Sequence, residues 1–255
     1  MSPGSKIKPK ILGFVCNWCC YGGADLCGVS RFQYPPYIRL IRVMCSARVD
    51  MAHIFLALST GQHGVFVGGC HLNDCHYITN GNYDAFGMVS ICKKILGHIG
   101  VNPDRLRLEW VSAGEGIRFA NIMNDFGAQI AKFGPLGQSE GIDEQVLKFR
   151  LEAAAKLVPY IRLVQTERMR VPVRTEEAYQ KFFASDEFNR LFEETIAEKL
   201  SIGQIVALLQ KEPLATPGIS RALGLTPSEV SRFLISSSRQ KLVRYDEGLK
   251  RYALA

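Results

Sequence analysis

The sequence predicts an α/β protein with a small, mostly parallel sheet covered by helices on both faces, then a helical connector and a winged-helix-like module. Three observations lead to this prediction. In the first half of the chain, short apolar runs bounded by glycines alternate with helical segments, a pattern typical of parallel sheets. Residues 134–139 are rich in glycine and proline and interrupt this alternation. Residues 201–255 follow the order helix, helix, turn, helix and hairpin, which is typical of a winged helix.

Four short apolar segments are predicted as the strands of the sheet, with three helices between and after them. Asp50 is a candidate N-cap for the first helix, and Gly100 lies where the second helix should end. The segment 16–28 is dense in cysteine and glycine and is predicted as a loop that lets the backbone approach a bound group. The predicted strands are 11–15, 38–44, 65–67 and 106–111, and the predicted helices are 50–59, 83–99 and 117–133.

The second half of the chain is predicted to contain two further parts. Residues 143–157 and 175–200 are helical and mixed in charge, which is typical of a connector that packs on its neighbours. In the last part, Thr216 and Thr226 each provide a hydroxyl cap before a proline at the first helical position. We therefore expect a sheet domain over 1–134, a helical connector over 135–195 and the winged-helix-like module over 196–255.

The composition indicates a soluble protein of the cytoplasm. The chain has 255 residues, of which 47% are hydrophobic and 22% charged, and it has no apolar run of the length that spans a membrane. The basic start lacks the apolar region of a secretory signal. Without export, the eight cysteines are expected to be thiols or metal ligands and not disulfides.

The net charge permits several kinds of partner. A formal charge of +7 fits either nucleic acid or an acidic protein, and it does not choose between them. The segment 30–48 contains four arginines and no acidic residue. It is a solvated edge of the sheet, a docking surface for an acidic partner or a source of positive charge that limits the charge of a cluster, and the sequence leaves these interpretations open.

Cysteines follow three of the predicted strands at the point where each strand ends. The carboxyl ends of parallel strands meet at one edge of a sheet, where open α/β sheets place their ligands. Thiolates are soft donors for iron or zinc, and a Cys-x-x-Cys spacing suits two ligands of one metal centre. The sequence therefore predicts a metal or redox centre, and the spacing alone does not distinguish iron from zinc. The candidate ligands are Cys16, Cys19, Cys45, Cys70 and Cys75.

The other cysteines and the nearby histidines have simpler interpretations. Cys92 lies in the middle of a predicted helix and is expected in the core, while Cys20 and Cys27 rank below the five candidates as ligands. His71 and His76 follow candidate ligands directly and are expected to hydrogen-bond near the centre, not to ligate it. Nucleophilic catalysis by one cysteine fits five clustered thiols poorly, because it needs one reactive thiol with a base.

Residues 11 to about 130 resemble the iron–sulfur (delta) subunit family of methyl-viologen-reducing hydrogenases. The resemblance covers about half of the chain and is carried by long, ungapped segments of unusual composition. These segments are CNWCCYGGAD, QYPPYIRLIRVMCSARVD, GVFVGGCHLNDCHYITNGNY and RLRLEWVSAGEG.

The resemblance implies a flavodoxin-like domain with a [2Fe–2S] cluster, in an anaerobic complex of the kind that performs flavin-based electron bifurcation. Members pass electrons between a partner oxidoreductase and the flavin-containing A subunit of heterodisulfide reductase, and do no bond chemistry alone. Relatives serve hydrogenases, formate dehydrogenases, methylenetetrahydrofolate reductases and benzoyl-CoA reductase complexes. One of the five motif positions is a neighbour and not a ligand, because a cluster needs four. The motif cysteines fall on Cys16, Cys19, Cys45, Cys70 and Cys75.

Two alternative functions remain open at this point. The first is a redox-sensing regulator in which the cluster is the sensor and the winged helix binds DNA, with phosphate contacts from Ser228, Arg232, Arg239, Lys241 and Arg244. Nucleic acid is not the expected partner, because residues 201–255 carry only 8 Lys and Arg against 4 Asp and Glu. The second alternative is a structural subunit stabilised by zinc.

Overall fold

The structure, a computed structural model, describes residues 8–255. The first half of the chain forms one four-stranded sheet in which every neighbouring pair is parallel. The strands are β1 (Ile11–Cys16), β2 (Ile38–Val43), β3 (Gly64–Gly69) and β4 (Leu106–Trp110). Their order, β2-β1-β3-β4, is that of the first four strands of a flavodoxin-like sheet. The predicted α/β fold class is confirmed.

The burial of each strand follows its place in the sheet. β3 is buried at all six positions, and β1 at five of six, because helices cover both of their faces. This explains why these two strands are continuous apolar runs. β2 lies at one edge, and the side chains of Arg39 and Arg42 are exposed there. Part of the basic segment is therefore an edge strand of the sheet.

Four helices flank the sheet, α1 (Cys20–Val29), α2 (Met51–Ser59), α3 (Asn82–His98) and α4 (Gly116–Phe133). α1 packs against α4 on one face, and α2 packs against α3 on the other. Asp50 caps α2 as predicted, since its side chain accepts the N–H of Ala52 at 2.9 Å. Phe66 of β3 and Phe126 of α4 meet in the core with ring centroids 6.3 Å apart. The predicted helices on both faces are present.

The segment 16–28 is not the loop that the sequence predicts, because most of it forms α1. Its glycines allow the helix to lie against the segment that links β4 to α4. A Cβ atom at Gly22 would lie 2.9 Å from the Cβ of Ala113, and one at Gly23 would lie 2.9 Å from the carbonyl oxygen of Ser112. Glycine lowers helix propensity, so the sequence signal favours a loop, while packing in the folded protein favours the helix.

The rest of the chain is mainly helical and ends in a hairpin. Leu214 forms an isolated antiparallel bridge with Tyr252 of that hairpin. The order of three helices and a hairpin agrees with the order predicted for residues 196–255. The helices are α5 (Glu144–Lys156), α6 (Val158–Arg168), α7 (Glu176–Phe183), α8 (Asp186–Phe192), α9 (Glu198–Leu209), α10 (Thr216–Leu223) and α11 (Pro227–Arg239), and the hairpin strands are β5 (Val243–Asp246) and β6 (Arg251–Leu254).

The chain divides into two compact units. The first contains the described residues through Leu151 together with Val171–Ser185, and the second contains Glu152–Arg170 and Asp186–Ala255. Residues of the stretch 135–195 are thus shared between the units. In the described part of the chain, no helix is both long and apolar enough to cross a membrane.

A buried ion pair closes the end of the sheet opposite the cysteines. The Arg105 side chain is fully buried, and the Glu140 side chain is 3% exposed. Arg105 Nε donates to Glu140 Oε1 at 2.6 Å, and Nη2 donates to Oε2 at 3.0 Å. The guanidinium also donates to the carbonyl oxygens of His63, Gly134 and Pro135, each at 2.9 Å. One side chain thereby ties the start of β3 to the end of α4 and to the loop after it.

We predict that Glu140→Ala destabilises the first unit by about 3–5 kcal/mol, because it leaves Arg105 buried without a counter-charge. Denaturant unfolding followed by tryptophan fluorescence measures this, since both tryptophans, Trp18 and Trp110, belong to the first unit. The control is Glu144→Ala, which removes an exposed partner of Lys148 and should cost less than about 1 kcal/mol. Equal losses in the two variants would contradict the assigned role of the buried pair.

The same pair predicts a dependence of stability on pH. Burial raises the pKa of Glu140, but the hydrogen bonds and charge of Arg105 outweigh it, so the pKa lies below its ordinary value. A lowered folded-state pKa gives stability that is complete above the unfolded pKa of about 4.3 and is lost as pH falls through the folded value. Unfolding free energies measured against pH should fall less steeply below about pH 4.3 in Glu140→Gln than in the parent. Parallel curves for the two proteins would contradict this prediction.

Candidate metal centre

Three parallel strands bring cysteines to one edge of the sheet. Cys16 is the last residue of β1, Cys70 follows β3 directly, and Cys45 lies two residues after β2. All three are buried, with exposed fractions of 1%, 3% and 4%. The Sγ atoms of Cys16 and Cys70 lie 3.6 Å apart. The predicted meeting of strand ends thus brings two thiols from different strands into direct contact.

The distance between these sulfur atoms suits a shared metal. Two thiolates bound at about 2.3 Å to one tetrahedral metal are about 3.8 Å apart. The 3.6 Å between Cys16 and Cys70 is close to this value. None of the eight cysteines, all of which lie in the described part of the chain, forms a disulfide. The donor set therefore has the chemistry that iron or zinc requires.

The other two candidates are less buried and extend the group. Cys19 is the N-cap of α1 and packs against the apolar cluster that contains Cys16 and Cys70. Cys75 packs against the same cluster. Gly81 makes room for this residue, because a Cβ atom there would lie 2.6 Å from the Sγ atom of Cys75. Cys19 and Cys75 therefore lie beside the buried pair of Cys16 and Cys70.

The five cysteines do not by themselves form a complete coordination sphere in this arrangement. Within residues 8–255, no three or more side chains of cysteine, histidine, aspartate and glutamate are arranged so that they could hold a metal ion as they stand. In the described part of the chain, the direct contact between thiols joins Cys16 with Cys70.

Hydrogen bonding favours the thiolate form at Cys16. Its pKa is lowered to about 6, first because the thiol of Cys70 donates to it, although burial acts in the opposite direction. The N–H of Cys20 adds a hydrogen bond to the same sulfur at 3.3 Å. Since the thiolate is the form that binds metal, this lowered pKa favours ligation by Cys16.

The remaining cysteines belong to the core. Cys20, Cys27 and Cys92 are fully buried. The Sγ atom of Cys20 packs against Gly68, where a side chain would overlap it, and burial raises its pKa well above the ordinary value. The structure thus separates Cys19, which is partly exposed, from its buried neighbour Cys20.

Two residues that the sequence analysis did not select hold the loop after β3. The Nδ2 atom of Asn82, which is 2% exposed, donates to the carbonyl oxygens of Cys70 at 2.9 Å and His71 at 2.7 Å. Glu115 Oε2 lies 2.7 Å from His71 Nε2 and accepts the N–H of Ser112 at 2.7 Å. The Ser112 N–H and then His71 lower the pKa of Glu115. The glycine-flanked Glu115 between a strand and a helix was the available sequence signal.

A surface cleft of about 550 Å³ opens beside the cysteines, and Cys45, Arg48 and His76 are among its lining residues. The ring of His76 stacks on Trp18 with centroids 4.0 Å apart and planes at 21°. Met44 and Ile78 line the same cleft and are exposed. The cleft therefore joins the cysteine group to a partly apolar surface.

Comparisons with known proteins find relatives for the first half of the chain. The family model described as methyl-viologen-reducing hydrogenase, delta subunit, matches residues 11–134. The iron–sulfur D subunit of the F420-non-reducing hydrogenase of Archaeoglobus profundus is 48% identical over 128 residues, which are 50% of this chain and 93% of the relative. The corresponding vhc iron–sulfur D subunit of Methanococcus voltae is 49% identical over 140 residues, or 54% of this chain and 96% of the relative.

A similar stretch also occurs within a much longer protein. The A subunit of the ferredoxin/F420H2-dependent CoB-CoM heterodisulfide reductase of Methanosarcina acetivorans is 49% identical over 129 residues, which are 51% of this chain and 16% of the relative. The similarity thus extends to a separate small subunit and to a part of a large one. From the family match and the relatives that it covers almost completely, the chain belongs to the methyl-viologen-reducing hydrogenase delta subunit family, as the sequence predicted.

Proposed function

We propose that this protein is an electron-transfer subunit that holds a [2Fe–2S] cluster with four of the five cysteines at the edge of the sheet. The observation that carries the proposal is the meeting of thiols from separate strand ends, with 3.6 Å between the Sγ atoms of Cys16 and Cys70. The names of the relatives, the iron–sulfur D subunit of hydrogenases and the A subunit of heterodisulfide reductase, support an electron-transfer role.

When bound, the cluster supplies reversible storage of one electron, and the chain provides the ligands and their surroundings. Asn82 and Glu115 fix the loop that carries Cys70. The rings of Trp18 and His76 stack on each other, and each residue is near a candidate ligand in the sequence, so we infer that they shield the cluster from water. Arg48, in the adjacent cleft, adds positive charge that favours the reduced state. The protein's part in electron transfer is therefore positional, and it catalyses no reaction by itself.

The proposed partners are a donating or accepting oxidoreductase and a flavin-containing A subunit of the heterodisulfide reductase type. A similar stretch lies inside the A subunit of the Methanosarcina acetivorans reductase, so there it is covalently joined to the rest of that protein. We infer that the separate chain docks on an A-type subunit and replaces this covalent link. The complex is expected in the cytoplasm of an anaerobic cell.

For the end of the chain we propose a winged-helix-like module that docks on a protein partner. Its surface exposes several large apolar side chains, which favour a protein interface over DNA. Ile235 lies on α11, the helix that reads DNA in winged-helix regulators. The exposed apolar residues are Ile235, Leu242, Tyr245 and Leu249, with exposed fractions between 40% and 58%.

We predict that Cys70→Ala abolishes cluster assembly, whereas Cys92→Ala leaves it intact, because Cys92 is fully buried within α3 and does not follow a strand end. The measurement is iron, sulfide and zinc content together with low-temperature electron paramagnetic resonance, on protein purified and reduced without oxygen. Two irons and two sulfides per chain with a reduced [2Fe–2S] signal are expected for the parent. Equal iron content in the two variants would remove Cys70 from the ligand set, and stoichiometric zinc without a reducible signal would favour a structural subunit.

We predict that replacing both Ile235 and Leu249 by aspartate weakens binding to an A-type subunit by at least about tenfold. Cluster content should be unchanged, because both residues lie in the second unit. The matched control replaces Arg232 and Arg239 by alanine, which removes charge from the same helix. Tight binding to duplex DNA that falls steeply with salt and is lost in this control would instead identify a DNA-binding regulator.

A further inference from the structure

The outer edge of β4 is an open edge of the sheet. β4 pairs with β3 on one side, and no other described strand pairs with it. A groove of about 430 Å³ follows this edge between α3 and α4. Phe86, Val89 and Lys93 of α3 line one wall, and Gln129 of α4 lines the other. An extended segment of another chain could therefore lie along β4.

The backbone of β4 shows which residues present hydrogen-bonding groups to this groove. The N–H of Val111 donates to the carbonyl oxygen of Gly69, so Val111 faces β3. Because successive residues of a strand point their backbone groups to opposite sides, the N–H and C=O groups of Arg107 and Glu109 also point toward β3. The N–H and C=O groups of Leu108 and Trp110 point outward into the groove. The side chain of Arg118 reaches the carbonyl oxygen of Trp110 at 3.3 Å, which agrees with this direction.

The side chains of β4 divide between the two faces of the sheet. Trp110 meets Phe86 of α3 with ring centroids 6.4 Å apart, so Leu106, Leu108 and Trp110 form an apolar row on that face. Arg107 and Glu109 lie on the opposite face, where Arg107 Nε donates to Glu109 Oε1 at 2.8 Å. The strand thus has opposite charges placed symmetrically about Leu108.

We propose that the occupant of this groove is the β4 strand of a second copy of this chain, paired antiparallel about a two-fold axis at Leu108. In this register Arg107 lies opposite the partner's Glu109, and Leu106 lies opposite the partner's Trp110. A two-fold axis at Arg107 or Glu109 would instead place like charges directly opposite each other, which is destabilising. The charge pattern therefore selects one register.

The backbone agrees with the same register. The two Leu108 residues exchange N–H···O=C bonds, and the N–H of each Trp110 donates to the carbonyl oxygen of the partner's Leu106. The Leu106 N–H is already used within its own chain, where it donates to Pro103. Arg107 and Glu109 then occupy non-hydrogen-bonded positions, at which side chains of facing residues are closest. The pairing gives a sheet that continues through both copies.

The antiparallel arrangement keeps the cysteine group of each copy accessible. Since the strands of the two copies run in opposite directions, their carboxyl ends lie at opposite ends of the shared sheet. The dimer needs only the edge of β4, so it is expected whether or not a cluster is bound.

Charge reversal with rescue tests this proposal in the full chain. Sedimentation equilibrium, without oxygen and with a thiol reductant, should show a dimer for the parent. Arg107→Glu and Glu109→Arg should each raise the dissociation constant of the dimer by at least about tenfold, because each places like charges across the two-fold axis. The double variant R107E/E109R restores opposite charges and should restore the dimer. Arg39→Glu, a reversal on the other edge strand, should leave the dimer unchanged.

Circular dichroism of each variant confirms that a loss of dimer is not a loss of fold. A monomeric parent protein over the accessible concentration range would overturn the proposal. So would a dimer that both single reversals leave intact, or a double variant that fails to recover. A dimer broken by Arg39→Glu but not by the reversals on β4 would place the interface on β2.

Discussion

The parallel pairing of β1 with both of its neighbours is the constraint on which the rest of the structure depends. Ile11 lies opposite Ile38 on one side and Gly64 on the other, so the three strands begin and end together. Their carboxyl ends therefore coincide, and the residues that follow them form one group. A shift of one residue in either pairing would turn every side chain of the shifted strand to the other face of the sheet. The thiol pair of Cys16 and Cys70 exists only in this register.

The sequence was sufficient for the parts of the fold that depend on local pattern. Continuous apolar runs identified β1 and β3, because strands buried on both faces need apolar residues at every position. The helix α1 was missed, since Gly22 and Gly23 have low helix propensity and are required by packing against Ser112 and Ala113. The pair of Arg105 and Glu140 was missed for a related reason, because its partners lie 35 residues apart and no local pattern connects them.

The candidate site also combines features that local sequence pattern predicts with features that depend on tertiary structure. Strand ends and the spacing of cysteines predicted that thiols from separate strands would meet, and the Sγ atoms of Cys16 and Cys70 lie 3.6 Å apart. The roles of Asn82 and Glu115 could not be inferred, because each acts through hydrogen bonds to backbone or histidine groups that only the folded chain brings near. Sequence spacing thus identifies donors to a metal, whereas the groups that orient those donors come from tertiary structure.

The two edge strands of the sheet, β2 and β4, differ in exposure and charge, which indicates how one small domain can contact several partners. The β2 edge exposes Arg39 and Arg42, whose charge opposes pairing with another strand and suits an acidic surface. The β4 edge is recessed between two helices, and its charges are balanced within the strand. The cysteine group lies at the carboxyl ends of the strands and not along either lateral edge of the sheet. The cleft beside Cys45 is thus separate from the groove along β4.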